Sequence, residues 1–177
     1  IDATRTPDAR AWAQACAAAE AAALAALARG QSVIVHSARG PDDPAIAAAR
    51  AAREAAGQSP RDGAETLGRG LGAILGRLAL HAGLARTAIA GGDTSGFAIA
   101  ERGIAALTAE AEIVPAVPLL HAHFADPARP PAEIAVKGGQ MGPENLFALV
   151  RDGPAGVAAC GVKDHGERRS ATQGRTS

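Results

Sequence analysis

The chain has no tyrosine, one tryptophan and three phenylalanines in 177 residues. A core of stacked aromatics is excluded, so burial must come from Leu, Ile, Val and close backbone approach. The two cysteines, Cys16 and Cys160, lie far apart in sequence. That excludes a disulfide-stapled scaffold and fits a reducing cytoplasm. Neither has an activating neighbour in sequence, so neither reads as a nucleophile. Charge of one sign is not in excess: 18 basic and 18 acidic residues give a formal net charge of zero. General attraction to nucleic acid or to an anionic membrane is excluded, and any anion site must be local. Long hydrophobic runs are missing too. Residues 11–28 are mostly alanine, interrupted by Gln14 and Glu20, which suits neither a membrane span nor a signal peptide.

Several motifs are also absent. No Gly-Lys-Ser/Thr closes a P-loop, and no GxGxxG follows a strand. No Ser–His–Asp elbow or catalytic carboxylate pair is legible. His121 and His123 would share one side of a strand, but no third metal ligand accompanies them, and they read as a partly exposed pair. His36 reads as a core or edge histidine, and Arg39 as a partner of either phosphate or Asp42 and Asp43.

What is present is alanine, 21 glycines and short β-branched runs. Asp8 is an N-cap for a helix over 10–29 that Gly30 ends. Ser32–His36 reads as a buried parallel strand. Pro44 opens a helix over 44–56. Leu67, Leu71, Ile74, Leu75 and Leu78 predict an amphipathic helix over 63–83. Gly68, Gly70, Gly72 and Gly76 weaken its propensity but would let it lie close to the sheet. Short strands are expected at 104–107 and 112–114, with Pro115, Pro118 and the cluster at 126–131 confining this region to edges and loops. Residues 154–177 show no periodicity and read as a disordered tail after a domain of residues 1–153.

Two units carry the chemistry. Residues 87–102 read as strand, glycine turn and helix start: Thr87–Ala90, then Gly91, Gly92, Asp93, Thr94, Ser95 and Gly96. Free N–H groups and the positive end of a helix dipole then meet at one point, which favours phosphate. Thr94 and Ser95 can cap the helix or donate hydroxyls to phosphate oxygens. Asp93 can hold Mg²⁺ beside them. The second unit is Ile134–Lys137, then Gly138, Gly139 and Gly142, with Pro143 at a first helical position. Lys137, one of two lysines in the chain, is either a point charge for phosphate or a solvated strand end. Spacing alone leaves a structural tight turn open for the first loop. The element order predicts an α/β fold: a three-layer sandwich, a mostly parallel sheet and a crevice at the strands' carboxyl ends.

Residues 33–44 (VIVHSARGPDDP), 88–104 (AIAGGDTSGFAIAERGI), 112–120 (EIVPAVPLL) and 133–147 (EIAVKGGQMGPENLF) together resemble one family. It is the C-terminal nucleotide-binding domain of the four-carbon acid sugar kinases, matched in order and spacing over roughly 10–153. The resemblance implies ATP bound by this lobe, and a four-carbon sugar acid bound by an N-terminal lobe this chain lacks. Threonate, erythronate and 3-oxo-tetronate are such acids. It carries nucleotide contact onto Gly91, Gly92, Asp93, Thr94, Ser95 and Gly139, with Lys137, Gly138 and Gly142 following by adjacency. Two positions depart from the family pattern. Gln140 stands where an asparagine is usual, and Pro115-Ala116-Val117-Pro118 replaces Pro-Gly-Val-Pro.

The expectation is therefore the ATP-binding lobe of a cytoplasmic sugar-acid kinase, inactive in isolation, with ATP and Mg²⁺ as cofactors. The alternative is a non-catalytic nucleotide- or phosphate-binding module from a truncated kinase. A dinucleotide-binding oxidoreductase domain is disfavoured by the missing GxGxxG. The alanine-rich first helix is either a homodimer surface or packs on the sheet.

Overall fold

The computed structural model describes residues 1–139 and 141–159. The chain forms two compact units, residues 1–142 and residues from Pro143 onward. After a short 3-10 turn at Ala3–Arg5, the first unit continues with helix α1 (Ala9–Leu27), capped by the Asp8 carboxylate, which accepts from the Arg10 and Ala11 amides at 2.9 and 3.0 Å. Helix α2 (Pro44–Ala55) is capped by Asp43. Helix α3 (Pro60–His81) starts earlier than its apolar stripe suggests. Ser59 and Asp62 form a reciprocal capping box there, with Pro60 in the first turn.

Strand β1 (Arg86–Ala90), helix α4 (Asp93–Glu101) and strands β2 (Ile104–Val114), β3 (Val117–Phe124) and β4 (Ala132–Lys137) follow. They form one four-stranded sheet in the order β1-β4-β3-β2. Only β1 and β4 run parallel; β4–β3 and β3–β2 are antiparallel. The expected mostly parallel sheet is thus corrected to a mixed one. Residues 104–114 make one long strand rather than two short ones, and fold back through a tight turn at Pro115–Ala116 as a hairpin. β3 is an interior strand although it contains Pro118. That proline is tolerated because β3 meets β4 only from the Leu119–Ala135 pair onward, so no β4 bond is lost at Pro118.

A second correction concerns Ser32–His36, which is extended but joins no ladder among the described residues. Val33 and Val35 pack on the Cys16–Ala23–Ile74–Leu78 cluster between α1 and α3, while Ile34 is 61% exposed. β-branching fixes an extended backbone with alternating burial, yet a ladder also needs a neighbouring strand. α3 also serves the other cluster, where Leu75 packs with Ile99 of α4 over Ile89, Ala122 and Ile134 of the sheet.

In the second unit, α5 (Leu146–Ala159) begins after Pro143, which lies before the helix rather than in its first turn. Gly153 (φ 72°, ψ 170°) breaks α5 into two segments. The expected tail overlaps α5 as far as Ala159, and its remainder, 160–177, lies outside the described residues.

Candidate functional site

The parallel pairing of β1 with β4 sets Ala90 beside Lys137, so both strands deliver their loops at the same end of the sheet. The Gly91 amide donates to the Lys137 carbonyl at 3.0 Å and carries that pairing one step into the loops. The two glycine turns singled out in the sequence are therefore neighbours.

The first turn is tightly built. A Cβ at Gly91 would sit 2.7 Å from Thr94 Oγ1 and 3.4 Å from Ser95 Oγ, so a larger residue there would force Thr94 to shift. Ser95 is 7% exposed, and its hydroxyl donates to the Gly91 carbonyl at 2.8 Å. Its proton is thus spent on bracing the loop. Gly92 is the N-cap of α4, and no side chain caps this helix, in contrast to α1, α2 and α3. First-turn amides left without a side-chain partner, at the positive end of the helix dipole, are suited to an anion. Asp93 is exposed at the first helical position and Thr94 is half-buried. A Cβ at Gly92 or Gly96 would meet nothing within 4 Å, so the space beside them is open.

The second turn is more open. Lys137 ends β4 half-buried, and its ammonium donates to the Gly139 carbonyl. Gly138 and Gly139 are exposed, and a Cβ on either would meet nothing within 4 Å. Gly139 (φ 48°) and Gly142 (φ 94°) occupy left-handed backbone that glycine tolerates. Between them the Met141 amide donates to the Gly138 carbonyl at 3.3 Å.

Asp93 is the one carboxylate in the described part of these two turns. No group of three or more His, Cys, Asp or Glu able to hold a metal occurs among the described residues. A lone carboxylate beside a phosphate site suits Mg²⁺, which takes its other ligands from phosphates and water. Asp93 would hold that ion, whose chemistry is to neutralise charge on transferring phosphate oxygens.

His121 and His123 are not brought to this end. They lie on β3 with ring centroids 4.9 Å apart, and His121 pairs with Glu133 near the start of β4. His123 Nε2 lies 3.0 Å from Thr108 Oγ1, and His121 Nδ1 lies 3.7 Å from Glu110. In the loop after His36, Asp43 accepts from the Arg39 and Ala45 amides at 2.7 and 2.9 Å. These backbone bonds hold the Asp43 carboxyl below the usual aspartate range. That loop is closed by a helix cap rather than by an Arg39 ion pair.

The support behind the first turn lies in the α3 glycines. Gly68 and Gly72 bring α3 against α4, whereas a Cβ at Gly70 would meet the Trp12 ring of α1 at 2.5 Å. A Cβ at Gly68 would lie 2.7 Å from the Thr94 carbonyl oxygen and from Phe97 Cβ. One at Gly72 would lie 2.6 Å from the Ala98 oxygen. The sequence signal was the Gly-x-x-x-Gly spacing, which places both on one helix face. At the other end of α4, Arg102 is 2% exposed and its Nη1 donates to Thr87 Oγ1 at 2.9 Å. A buried arginine at this point carried no sequence signal.

The uncapped start of α4 beside Gly91, with the Lys137 end of β4 hydrogen-bonded alongside, suits an anionic ligand, and the class of the domain comes from the comparisons with known proteins. Residues 1–147 match the nucleotide-binding C-terminal domain family. The chain belongs to this family, the C-terminal domain of the four-carbon acid sugar kinases. It is 46% identical over 132 residues to the 3-oxo-isoapionate kinase of Paraburkholderia graminis, covering 75% of this chain and 28% of that protein. It is 32% identical over 132 residues to the 3-oxo-tetronate kinase of Pseudomonas savastanoi pv. phaseolicola, covering 73% and 27%. The chain thus spans little more than a quarter of these relatives. Among solved structures it is similar to one described as a putative tRNA synthase from Salmonella typhimurium, at TM-score 0.56 and 26% identity, covering 84% and 32%. It shares its fold with a domain of unknown function from Bordetella bronchiseptica, a domain-swapped dimer with bound citrate. There the TM-score is 0.51 and the identity 21%, covering 81% and 31%. Among the described residues no helix is long and apolar enough to cross a membrane.

Proposed function

We propose that this chain is the ATP-binding lobe of a cytoplasmic kinase that phosphorylates a four-carbon sugar acid of the threonate, erythronate or 3-oxo-tetronate type. The observation that carries the reading is the uncapped start of α4, beside Gly91 and Gly92 and joined to Lys137 through the Gly91–Lys137 hydrogen bond. The phosphates would lie against the first-turn amides of α4 and the exposed glycines of the second turn. Lys137 would leave the Gly139 carbonyl to meet them as a point charge. Thr94 would offer its hydroxyl, and Asp93 would hold Mg²⁺ at the phosphates. Phosphoryl transfer needs positioning and charge neutralisation more than covalent chemistry, and this set of groups supplies both. The kinase names of two relatives support the same reading. The sugar acid would be held by residues outside this chain. The chain alone is therefore expected to bind nucleotide without turnover.

The test is a calorimetric titration of the chain with Mg²⁺–ATP and, separately, with NAD, repeated on Lys137→Ala. Binding of ATP in preference to NAD, weakened in Lys137→Ala, supports the reading. Equal affinity for the two ligands, or an unchanged Lys137→Ala variant, contradicts it.

A further inference from the structure

Proteins that hold a nucleotide by its phosphates still have a flat, apolar base to accommodate. In the described part of the two turns nearly every residue is glycine or polar: Gly91, Gly92, Asp93, Thr94, Ser95 and Gly96 in the first, Gly138, Gly139 and Gly142 in the second. Met141 is the exception. It is the single methionine of the chain and is 48% exposed. The turn also constrains its position. Its amide is tied to the Gly138 carbonyl at 3.3 Å, and left-handed glycines flank it at 139 and 142. A long apolar side chain is thus held at the surface on a loop hydrogen-bonded, through Lys137, to the first turn.

Resting on the nucleotide reading above, we propose that Met141 is the nucleoside-contact residue of this lobe: its thioether packs on the face of the purine while the glycine turns hold the phosphates. A flexible, polarisable thioether suits this task, because sulfur–aromatic contacts are favourable and do not demand one ring orientation. The contact is to a ring face and reads no hydrogen-bonding edge. It therefore confers affinity for a purine without choosing between adenine and guanine.

The experiment compares the whole chain with Met141→Ala and Met141→Leu. Each is titrated with Mg²⁺–ATP, Mg²⁺–GTP and Mg²⁺–tripolyphosphate, and circular dichroism checks the fold of each variant. Met141→Ala is expected to weaken ATP and GTP by about two- to tenfold, the range of a sulfur–aromatic contact, and to leave tripolyphosphate unchanged. Met141→Leu should recover part of the loss, since it restores apolar area without sulfur. ATP affinity unchanged in Met141→Ala overturns the proposal and leaves the nucleotide reading standing. An equal loss for tripolyphosphate also overturns it, because Met141 would then act on loop shape. Absence of binding for all three ligands in the folded parent chain removes the nucleotide reading and this proposal with it.

Discussion

The amide of Gly91 donates to the carbonyl of Lys137 at 3.0 Å. This bond sets side by side two loops that are distant in sequence, because parallel strands release their chains at the same end of a sheet. Gly91 is also where the first turn has least room. A Cβ there would lie 2.7 Å from Thr94 Oγ1. Gly91→Ala should therefore destabilise the protein by about 1–3 kcal/mol, the usual cost of overpacking a tight site. Urea denaturation measures this; an unchanged midpoint would show that Thr94 can rotate away freely.

Gly68 and Gly72 of α3 pack against α4 behind that turn. Gly72→Ala pushes a methyl against the Ala98 carbonyl, 2.6 Å away, and should cost about 1–3 kcal/mol. Gly76→Ala sits on the same helix with nothing within 4 Å of its new Cβ. It should instead stabilise by about 0.5–1 kcal/mol through helix propensity. Thermal melts of the pair test the assignment, since propensity alone would make both changes stabilising.

Arg102 is buried with only part of its guanidinium hydrogen-bonded. Its Nε and Nη2 have no hydrogen-bond partner among the described residues. Burial, with the nearby Arg129 charge adding to it, pushes the guanidinium down to about 10. A base whose folded pKa lies below its unfolded one opposes folding wherever it is charged in both states. The penalty is therefore full below pH 10 and fades only as pH rises through that value. Arg102→Met should be neutral or stabilising at pH 7 by up to about 4 kcal/mol. Thr87→Val strips Nη1 of its acceptor and should destabilise by about 1–3 kcal/mol. Chemical denaturation at pH 7 checks the opposite signs; equal losses would mean that Arg102 packing outweighs its charge.

Ala116 is the one non-glycine residue with positive φ (66°) among the described residues, at the turn between β2 and β3. Left-handed alanine is strained by its Cβ, so Ala116→Gly should raise stability by about 1 kcal/mol. A higher melting temperature with unchanged nucleotide affinity is the expected result.

Strand β1 and helix α4 were legible because glycine and helix periodicity change within a few residues at 87–102. The direction of the sheet was not. Residues 104–124 mix alanine, proline and charge, and nothing local distinguishes a long hairpin from short parallel edges. Ser32–His36 has the composition of a buried strand, but pairing depends on a neighbour that local pattern does not encode. Gly68 and Gly72 were visible, and only the tertiary structure shows that they face α4. The sequence offers Ser95 as a helix cap or a hydroxyl for phosphate, while its bond to the Gly91 carbonyl depends on the turn geometry.

The central claim is that the open space over Gly92 holds the phosphates of a nucleotide. Gly92→Val tests it most directly, because a Cβ there meets no protein atom within 4 Å and projects into that space. Calorimetric titration with Mg²⁺–ATP is predicted to show binding by the parent chain and none by Gly92→Val, with matching circular dichroism spectra. Parent-like affinity in the folded Gly92→Val variant would contradict the account.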